Sequence, residues 1–278
     1  MTKFNIRTMQ NETPRCPRKF SLTNVVLGSR AALKSAASQL NSHSSFGFVP
    51  FAIRSNEILD LPDTRPSHER IANGAWLLRG FALGNVTALL AEIEHIKMAA
   101  VFRHLEIPGG FRMSVAMTNC GTLGWVSDRR GYRYTTEDPL SGQPWPPMPA
   151  LFSALAERAA RAAGFEGFVP DACLVNRYAP GARLTLHQDK DENDFSAPIV
   201  SVSLGLPAVF LFGGNGRKDK HRRIPLQHGD VVVWGGPARL FHHGVLPLKD
   251  GHHPVLGRQR INLTFRRATF RAGSVLGI

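Results

Sequence analysis

The sequence RINLTFRR, residues 260–267, is the clearest indication of the fold of this chain. Ile261, Leu263 and Phe265 alternate with polar residues, which is the two-residue period of a β-strand. The opposite face of the strand bears Arg260, Asn262, Thr264 and Arg266. Two environments fit that polar face. One is solvent at the edge of a sheet, and the other is the polar interior of a β-barrel, where the arginines need anionic partners.

Short runs of the same kind fill the chain from about residue 170 onward, as in PIVSVSLG, AVFLFGG and DVVVWGG. They are rich in β-branched residues and are separated by Gly, Pro, Asn and Asp. Several short strands at this spacing predict an antiparallel sandwich or barrel. Two helices are predicted before them. Apolar spacing indicates one over 85–100, and Pro149 and Gly164 bracket a second over 149–163.

The stretch TLHQDKDEND, residues 185–194, gathers one histidine and four carboxylates in ten positions. A calcium loop beginning at Asp189 would need Gly where the chain has Asp194 and Glu where it has Val200, so that interpretation fails. Side chains two apart share a face of a strand, so His187 and Asp189 point together. They would supply two of the three ligands of a facial triad for non-haem Fe(II). A solvated turn remains the alternative for the charged residues that follow.

A second histidine for such a site must come from elsewhere in the chain. The segment RLFHHG offers His242 and His243, and the pattern does not distinguish between them. The segment NRY adds Asn176 and Tyr178 on one strand face. A facial triad combined with arginines for a keto acid describes an Fe(II)/2-oxoglutarate oxygenase.

The net charge is +13, which is typical of proteins that bind polyanions. Residues 1–55 contribute a large part of it, with eight basic residues and one acidic residue. This composition predicts a disordered basic extension over 1–56. A transit peptide or an extension from an upstream start codon would have the same composition.

Three widely separated cysteines form no CxxC pair. They indicate neither a disulfide framework nor a zinc finger, and they favour a reducing, cytoplasmic location. No apolar run approaches the length needed to cross a bilayer, so no membrane partner is expected.

Four segments closely resemble the AlkB family of alkylated-nucleic-acid repair dioxygenases, and specifically its bacterial type. They are NRYAPGARLTLHQDKDE, PIVSVSLGLPAVFLFGG, HGDVVVWGGPARLFHHG and RINLTFR. The segment PGGFRMSVAMTNCGTLGW belongs to the same likeness, which runs from about residue 57 to 268. The resemblance implies an α+β, mainly β fold. It is a double-stranded β-helix (jelly roll) with an N-terminal helical and β-hairpin nucleotide-recognition lid.

The resemblance also divides the chain and assigns roles to residues. The helix and lid would occupy 57–148, the jelly-roll domain 149–270 and a tail 271–278. The metal ligands would be His187, Asp189 and His243. The 2-oxoglutarate ligands would be Asn176, Tyr178, Arg260, Asn262 and Arg266, with Arg266 on the far carboxylate and Arg260 near the other end. The substrate base would meet Met117, Trp125, Tyr132, Asp191 and Arg217, with Trp125 and the His243 imidazole on its two faces.

The activity implied is oxidative demethylation of N-alkylated bases such as 1-methyladenine and 3-methylcytosine. The enzyme would be a monomer that uses Fe(II), O2 and 2-oxoglutarate and releases formaldehyde, succinate and CO2. Its partner would be single- or double-stranded DNA, or RNA. Two other classes stay open: a hydroxylase of small molecules or proteins on the same fold, and a non-catalytic nucleic-acid-binding barrel.

Two further segments fit a nucleic-acid partner. SDRRGYRY, residues 127–134, interleaves arginines with tyrosines, as phosphate contacts and base stacking would require. RKDKHRR, residues 217–223, would lie near the backbone of the strand. A solvated hairpin and a simple hairpin tip are the respective alternatives.

Overall fold

The computed structural model describes residues 67–269, so the predictions for 1–56 and 271–278 lie outside the described residues. Over this part of the chain the strands are β1 (His68–Ala72), β2 (Ala75–Leu78), β3 (Arg103–Glu106), β4 (Arg112–Gly121), β5 (Gly124–Asp128), β6 (Gly131–Thr135), β7 (Ala172–Tyr178), β8 (Leu184–His187), β9 (Ile199–Gly205), β10 (Ala208–Phe212), β11 (Arg222–Leu226), β12 (Val231–Trp234), β13 (His243–Val245) and β14 (Arg260–Arg266). The helices are α1 (Val86–Ala99) and α2 (Ala150–Ala162), with short 3-10 turns at Leu83–Asn85 and Gly236–Ala238.

The strands form two principal antiparallel sheets. The larger has the order β1-β2-β12-β9-β14-β7-β4-β3, and the smaller has the order β11-β10-β13-β8. Strands β5 and β6 form a separate hairpin. Two antiparallel sheets with crossing connections are the architecture of a jelly roll, so the predicted fold class is confirmed. Strands on both sides of residue 148 share the larger sheet. The domain boundaries and the action of the hairpin as a lid stay predictions.

Strand β14 lies in the middle of the larger sheet, between β9 and β7, and all of its residues are buried. The edge-strand alternative for RINLTFRR is therefore wrong. The apolar face of β14 packs on the helices, where Phe265 meets Phe152 of α2 edge to face at 5.8 Å between ring centroids. The polar face lines a cavity between the two sheets. This strand therefore separates an apolar core from a polar interior.

Helix α2 begins after Pro149 and ends before Gly164, as predicted. Gly164 has a φ of +85°, a left-handed conformation that glycine adopts without strain. Helix α1 spans Val86–Ala99, which confirms the other predicted helix. No helix within residues 67–269 is long and apolar enough to cross a membrane.

The β5–β6 hairpin is fastened beside the cavity by a side chain of β4. Asn119, which is buried, donates to the backbone carbonyl of Trp125 and accepts from its backbone N–H, both at 3.0 Å. Gly124 allows Trp145 to pack against the base of the hairpin, because a Cβ there would lie 2.3 Å from the Trp145 ring. These contacts place the Trp125 side chain at the cavity.

Candidate active site

The predicted triad residues meet where β8 ends and β13 begins. His187 and His243 are direct partners in the β8–β13 register, and their ring centroids are 4.4 Å apart. The Asp189 carboxylate oxygens each lie 3.7 Å from the Nε2 atom of one of these histidines. The three potential ligand atoms all lie within 4.8 Å of one another. The structure therefore brings together the predicted triad, with His243 rather than His242 as its second histidine.

The donor set fits a divalent metal ion. His187 Nδ1 donates to the Thr185 carbonyl at 2.8 Å, and His243 Nδ1 donates to the Phe241 carbonyl at 3.0 Å. These bonds place the proton on Nδ1 and leave each Nε2 lone pair facing Asp189. Burial and the nearby His187 lower the pKa of His243 to about 3, so its imidazole is neutral at pH 7. Two imidazoles and a carboxylate on one side of an ion are the ligands that Fe(II) takes in this class of site.

Arg266 pairs with the triad carboxylate. Its Nε and Nη2 atoms donate to Asp189 Oδ2 at 2.9 Å and 2.7 Å, and both side chains are buried. Burial alone would raise the pKa of Asp189, but Arg266 and the two histidines hold it well below its ordinary value. Arg266 is thus adjacent to the metal position. Its assignment to the far carboxylate of 2-oxoglutarate stays a prediction, and its contact with Asp189 favours a role at the metal end of the cavity.

Arg260 lies at the other end of β14, with its guanidinium 4.9 Å from the centre of the Tyr178 ring. It is almost fully buried and donates through Nη2 to Ser203 Oγ at 3.0 Å. Its Nε and Nη1 atoms are buried and make no hydrogen bond to the described residues. Because an unpaired buried guanidinium is costly, this end of the cavity fits an anionic group of a ligand.

Between the two arginines, amide and hydroxyl side chains cross-link the interior. Asn176 donates to Asn262 Oδ1 at 3.2 Å, Thr264 donates to the same oxygen at 2.9 Å, and Asn262 donates to Ser201 Oγ at 2.8 Å. All five predicted 2-oxoglutarate ligands line the cavity. The cavity can therefore hold a dicarboxylate with one end at the triad and the other at Arg260.

The five predicted substrate residues line the same cavity, which has a volume of about 650 Å³. Trp125 and Tyr132 stack at its mouth, with ring centroids 5.6 Å apart and planes inclined by 12°. Trp125 Nε1 donates to Asp191 Oδ2 at 2.8 Å. Met117 is buried on the cavity wall, and Arg217 comes from the loop between β10 and β11.

The histidine that could form the second face of a base site is His187. The His243 side chain is only 6% exposed and packs against the rings of Trp234 and Phe210. The His187 side chain is 37% exposed. The structure thus contradicts the prediction that the His243 imidazole stacks on the base.

The arginines of the β5–β6 hairpin are already paired with carboxylates. Arg129 donates to Glu106 at 2.7 Å, and Arg130 and Arg133 both donate to Asp128. The cavity wall includes four other cations for which the described residues supply no carboxylate partner: Arg112, Arg183, Lys190 and Arg217. These four can contact phosphate without first breaking an ion pair.

Two buried charges near the triad were not expected from the sequence. Glu192 belongs to the segment for which a solvated turn was the alternative, and Arg239 precedes the two histidines. Their side chains form an ion pair at 3.0 Å and are almost completely buried. The only sequence signal was the unusual density of carboxylates after His187.

Comparison with known proteins identifies the family of this chain. The family described as the 2OG-Fe(II) oxygenase superfamily matches residues 74–266. The chain is 57% identical over 212 residues to the alpha-ketoglutarate-dependent dioxygenases AlkB of Salmonella typhimurium and Escherichia coli. That match covers 76% of this chain and 98% of each relative. The chain belongs to the AlkB family of this superfamily.

More distant relatives share the domain. The nucleic acid dioxygenase ALKBH1 of Mus musculus is 36% identical over 133 residues, which cover 46% of this chain and 34% of that protein. The solved structure of OsALKBH1 superposes with a TM-score of 0.64 at 30% identity, covering 72% of this chain and 99% of that one. As an AlkB-family oxygenase, the protein uses Fe(II), 2-oxoglutarate and O2, and the triad His187, Asp189 and His243 is its metal-binding site.

Substitutions of His187, which is partly exposed, and of Asp189, which is buried, should differ in their effect on stability. We expect His187→Ala and Asp189→Ala both to abolish Fe(II) binding, measured as metal content after anaerobic loading. Asp189→Ala should also lower the free energy of unfolding by about 3–5 kcal/mol, because it leaves buried Arg266 without its main partner. His187→Ala should lower the free energy of unfolding by less than about 1 kcal/mol, because His187 is partly exposed.

The matched control is Asp191→Ala, a carboxylate two positions further along that is exposed. It should keep both bound metal and stability in urea unfolding. Equal stability of the Asp189→Ala and His187→Ala variants would contradict the dependence of Arg266 on Asp189.

Proposed function

We propose that this AlkB-family oxygenase removes N-alkyl groups from nucleic-acid bases such as 1-methyladenine and 3-methylcytosine. The observation that carries the proposal is the position of the Trp125–Tyr132 stack at the mouth of a cavity that ends at the metal-binding triad. An aromatic pair in this place suits a planar base. The relatives named as a nucleic acid dioxygenase in Mus musculus and a DNA N(6)-methyladenine demethylase in Arabidopsis thaliana support the same substrate class.

The cavity suggests how 2-oxoglutarate is held. Its far carboxylate would bind the free N–H groups of Arg260 beside Tyr178, and its keto-acid end would reach the triad next to Arg266. Asn176 and Asn262 would line the path between them. Bound Fe(II), 2-oxoglutarate and O2 would together supply the oxidant for an N-methyl carbon. The co-substrate would become succinate and CO2, and the hydroxylated methyl group would leave as formaldehyde.

The base would enter between Trp125 and the exposed His187 ring. A methyl group on the pairing edge of a base is inaccessible inside a duplex, so the base must be flipped out or single-stranded. Stacking on an aromatic ring contributes about 1–3 kcal/mol per base. Asp191 can accept a hydrogen bond from an exocyclic amino group of the base, in place of the one that Trp125 now donates. Met117 would lie against the base.

The nucleic-acid strand that bears the alkylated base would cross the mouth of the cavity. Arg112, Arg183, Lys190 and Arg217 lie around it, and Tyr132 is 47% exposed beside them. We therefore propose alkylated DNA, single- or double-stranded, as the partner, with RNA as the alternative. Since one chain supplies every residue of this site, we propose that it acts as a monomer, and its cysteine pattern favours the cytoplasm.

The activity is tested with a single-stranded oligonucleotide that contains one 1-methyladenine. The full chain, Fe(II) and 2-oxoglutarate are mixed anaerobically, air starts the reaction, and adenine and succinate are quantified by mass spectrometry. We expect both products from the wild type and from His95→Ala, an exposed histidine of α1, and neither from His187→Ala. Succinate without adenine would point to another substrate, and neither product from folded, iron-loaded wild type would favour a binding protein.

The phosphate contacts predict a specific salt dependence. Replacing Arg183 and Arg217 together by Gln should reduce the slope of log K against log salt by about 1.4, since each lost contact to a single strand accounts for about 0.7. The control replaces Arg158 and Arg161 of α2, which packs on the opposite face of the larger sheet. Its net charge changes equally, but its slope should stay near the wild-type value. Equal slopes for both variants would show that only net charge matters.

A further inference from the structure

Glu192 is a buried carboxylate to which the proposed reaction gives no role. Its side chain is 2% exposed, and both of its oxygens are bonded. Oε1 accepts from the Tyr134 hydroxyl at 2.7 Å and lies 3.2 Å from Arg266 Nε, and Oε2 accepts from Arg239 Nη2 at 3.0 Å. Buried ion pairs can often be replaced by apolar residues without loss of stability. A fully bonded buried carboxylate next to a reactive centre therefore calls for a role other than folding.

Two of the three partners of Glu192 also hold Asp189. Arg266 forks onto the Asp189 side chain at 2.9 Å and 2.7 Å. Arg239 donates through Nη1 to the Asp189 backbone carbonyl at 2.7 Å. The side chain and the main chain of the metal-binding aspartate are thus fixed by two arginines that share one carboxylate.

The third partner belongs to the β5–β6 hairpin. Tyr134 lies on β6, and the same hairpin contributes Trp125 and Tyr132 to the cavity mouth. The hairpin has two side-chain links to the loop after β8. The link between Trp125 and Asp191 is at the surface, where an incoming base can displace it. The link between Tyr134 and Glu192 is buried, so it can persist while a base is bound.

We propose that Glu192 is a positioning residue that couples the position of the β5–β6 hairpin to the orientation of Asp189, through Arg266. The inference rests on the proposed function and adds a coupling to it. With Tyr134 in place, Glu192 Oε1 is shared and Arg266 stays on Asp189. When Tyr134 withdraws, Arg266 is drawn toward Glu192 and Asp189 loses its fixed position. The coupling of 2-oxoglutarate turnover to repair of the base then depends on a closed hairpin.

The direct test is Tyr134→Phe, which removes one hydroxyl group and keeps the ring. The amounts of succinate and repaired adenine are measured in the same quenched reactions. Because the variant loses a hydrogen bond to a charged group, we expect repair to slow by roughly 10-fold or more. The ratio of succinate to adenine should rise, while the affinity for the oligonucleotide stays at the wild-type value.

The matched control is Thr135→Val, which removes a hydroxyl from the neighbouring position of β6. That hydroxyl donates to the Glu137 carbonyl at 2.7 Å and does not contact Glu192. The control should keep the wild-type ratio of succinate to adenine. A ratio in Tyr134→Phe no different from that of Thr135→Val would overturn the proposal.

A double-substitution cycle separates coupling from simple destabilisation. If Tyr134 acts only through Glu192, the Tyr134→Phe/Glu192→Gln protein should be no more impaired than Glu192→Gln alone. If the losses of activity from the two substitutions were additive, the coupling through Glu192 would be contradicted.

A second readout does not depend on turnover. The visible absorption spectrum of the Co(II)-loaded protein reports the ligand arrangement around the metal. Tyr134→Phe and Glu192→Gln should shift it in the same way, and Thr135→Val should not. If the wild type does not repair the oligonucleotide but the two variants show these spectral shifts, the proposed substrate is refuted and the coupling through Glu192 is supported. If the wild type repairs the oligonucleotide but the variants show no spectral shift, the proposed substrate is supported and the coupling through Glu192 is refuted.

Discussion

The buried ion pair between Arg266 and Asp189 determines the organisation of the polar interior. An aspartate in the middle of a jelly roll is stable only if cations surround it, and the guanidinium of Arg266 meets that need before any metal binds. The same pair keeps Asp189 ionised and aimed at the two histidines. A second carboxylate, Glu192, and a second arginine, Arg239, extend the pair into a buried cluster of two negative and two positive side chains. The cluster is electrically balanced, so the divalent metal and the acidic co-substrate add to a neutral surrounding.

Arg260 sets the opposite boundary of the interior. Unlike Arg266, it has no carboxylate partner among the described residues, although it is equally buried. Strand β14 places the two arginines at opposite ends of one face, and the proposed site for a small dicarboxylate lies between the paired arginine and the unpaired one. In this proposed binding mode the unpaired Arg260 selects the end of the ligand that carries the far carboxylate. The triad lies at the paired end, and Trp125 and Tyr132 of the β5–β6 hairpin line the same cavity.

The sequence allowed the faces of the strands to be predicted, but not the order of residues along the cavity. The alternation in RINLTFRR placed Arg260 and Arg266 on one polar face, and the structure confirms that face. Which arginine lies near the metal depends on which end of β14 adjoins the end of β8, and that is a property of sheet topology. Local sequence has no information about it, and for this reason the order predicted from the sequence differs from the order proposed from the structure. The choice between His242 and His243 has the same cause, since register between β8 and β13 decides it.

Burial of charge was the other feature beyond the reach of local pattern. In TLHQDKDEND, Asp191 is exposed as a solvated turn would require, but Glu192 is buried between two arginines that are distant in sequence. Conversely, the arginines of SDRRGYRY looked unpaired in the sequence, yet Arg129 pairs with Glu106, and Arg130 and Arg133 share Asp128. Both outcomes depend on tertiary neighbours. Charged residues in loops give no local signal that separates a solvated side chain from a buried one.

The central claim is that the interior binds a dicarboxylate with its far end on Arg260 and its keto-acid end at the triad. The most direct measurement is an anaerobic titration of the Fe(II)-loaded protein with 2-oxoglutarate and with 2-oxopentanoate, which lacks the far carboxylate. Wild type should bind 2-oxoglutarate on the order of 100-fold more tightly, as expected for a buried charge-assisted fork. Arg260→Met should bind the two acids equally. A preference for 2-oxoglutarate that survives in Arg260→Met would contradict the account.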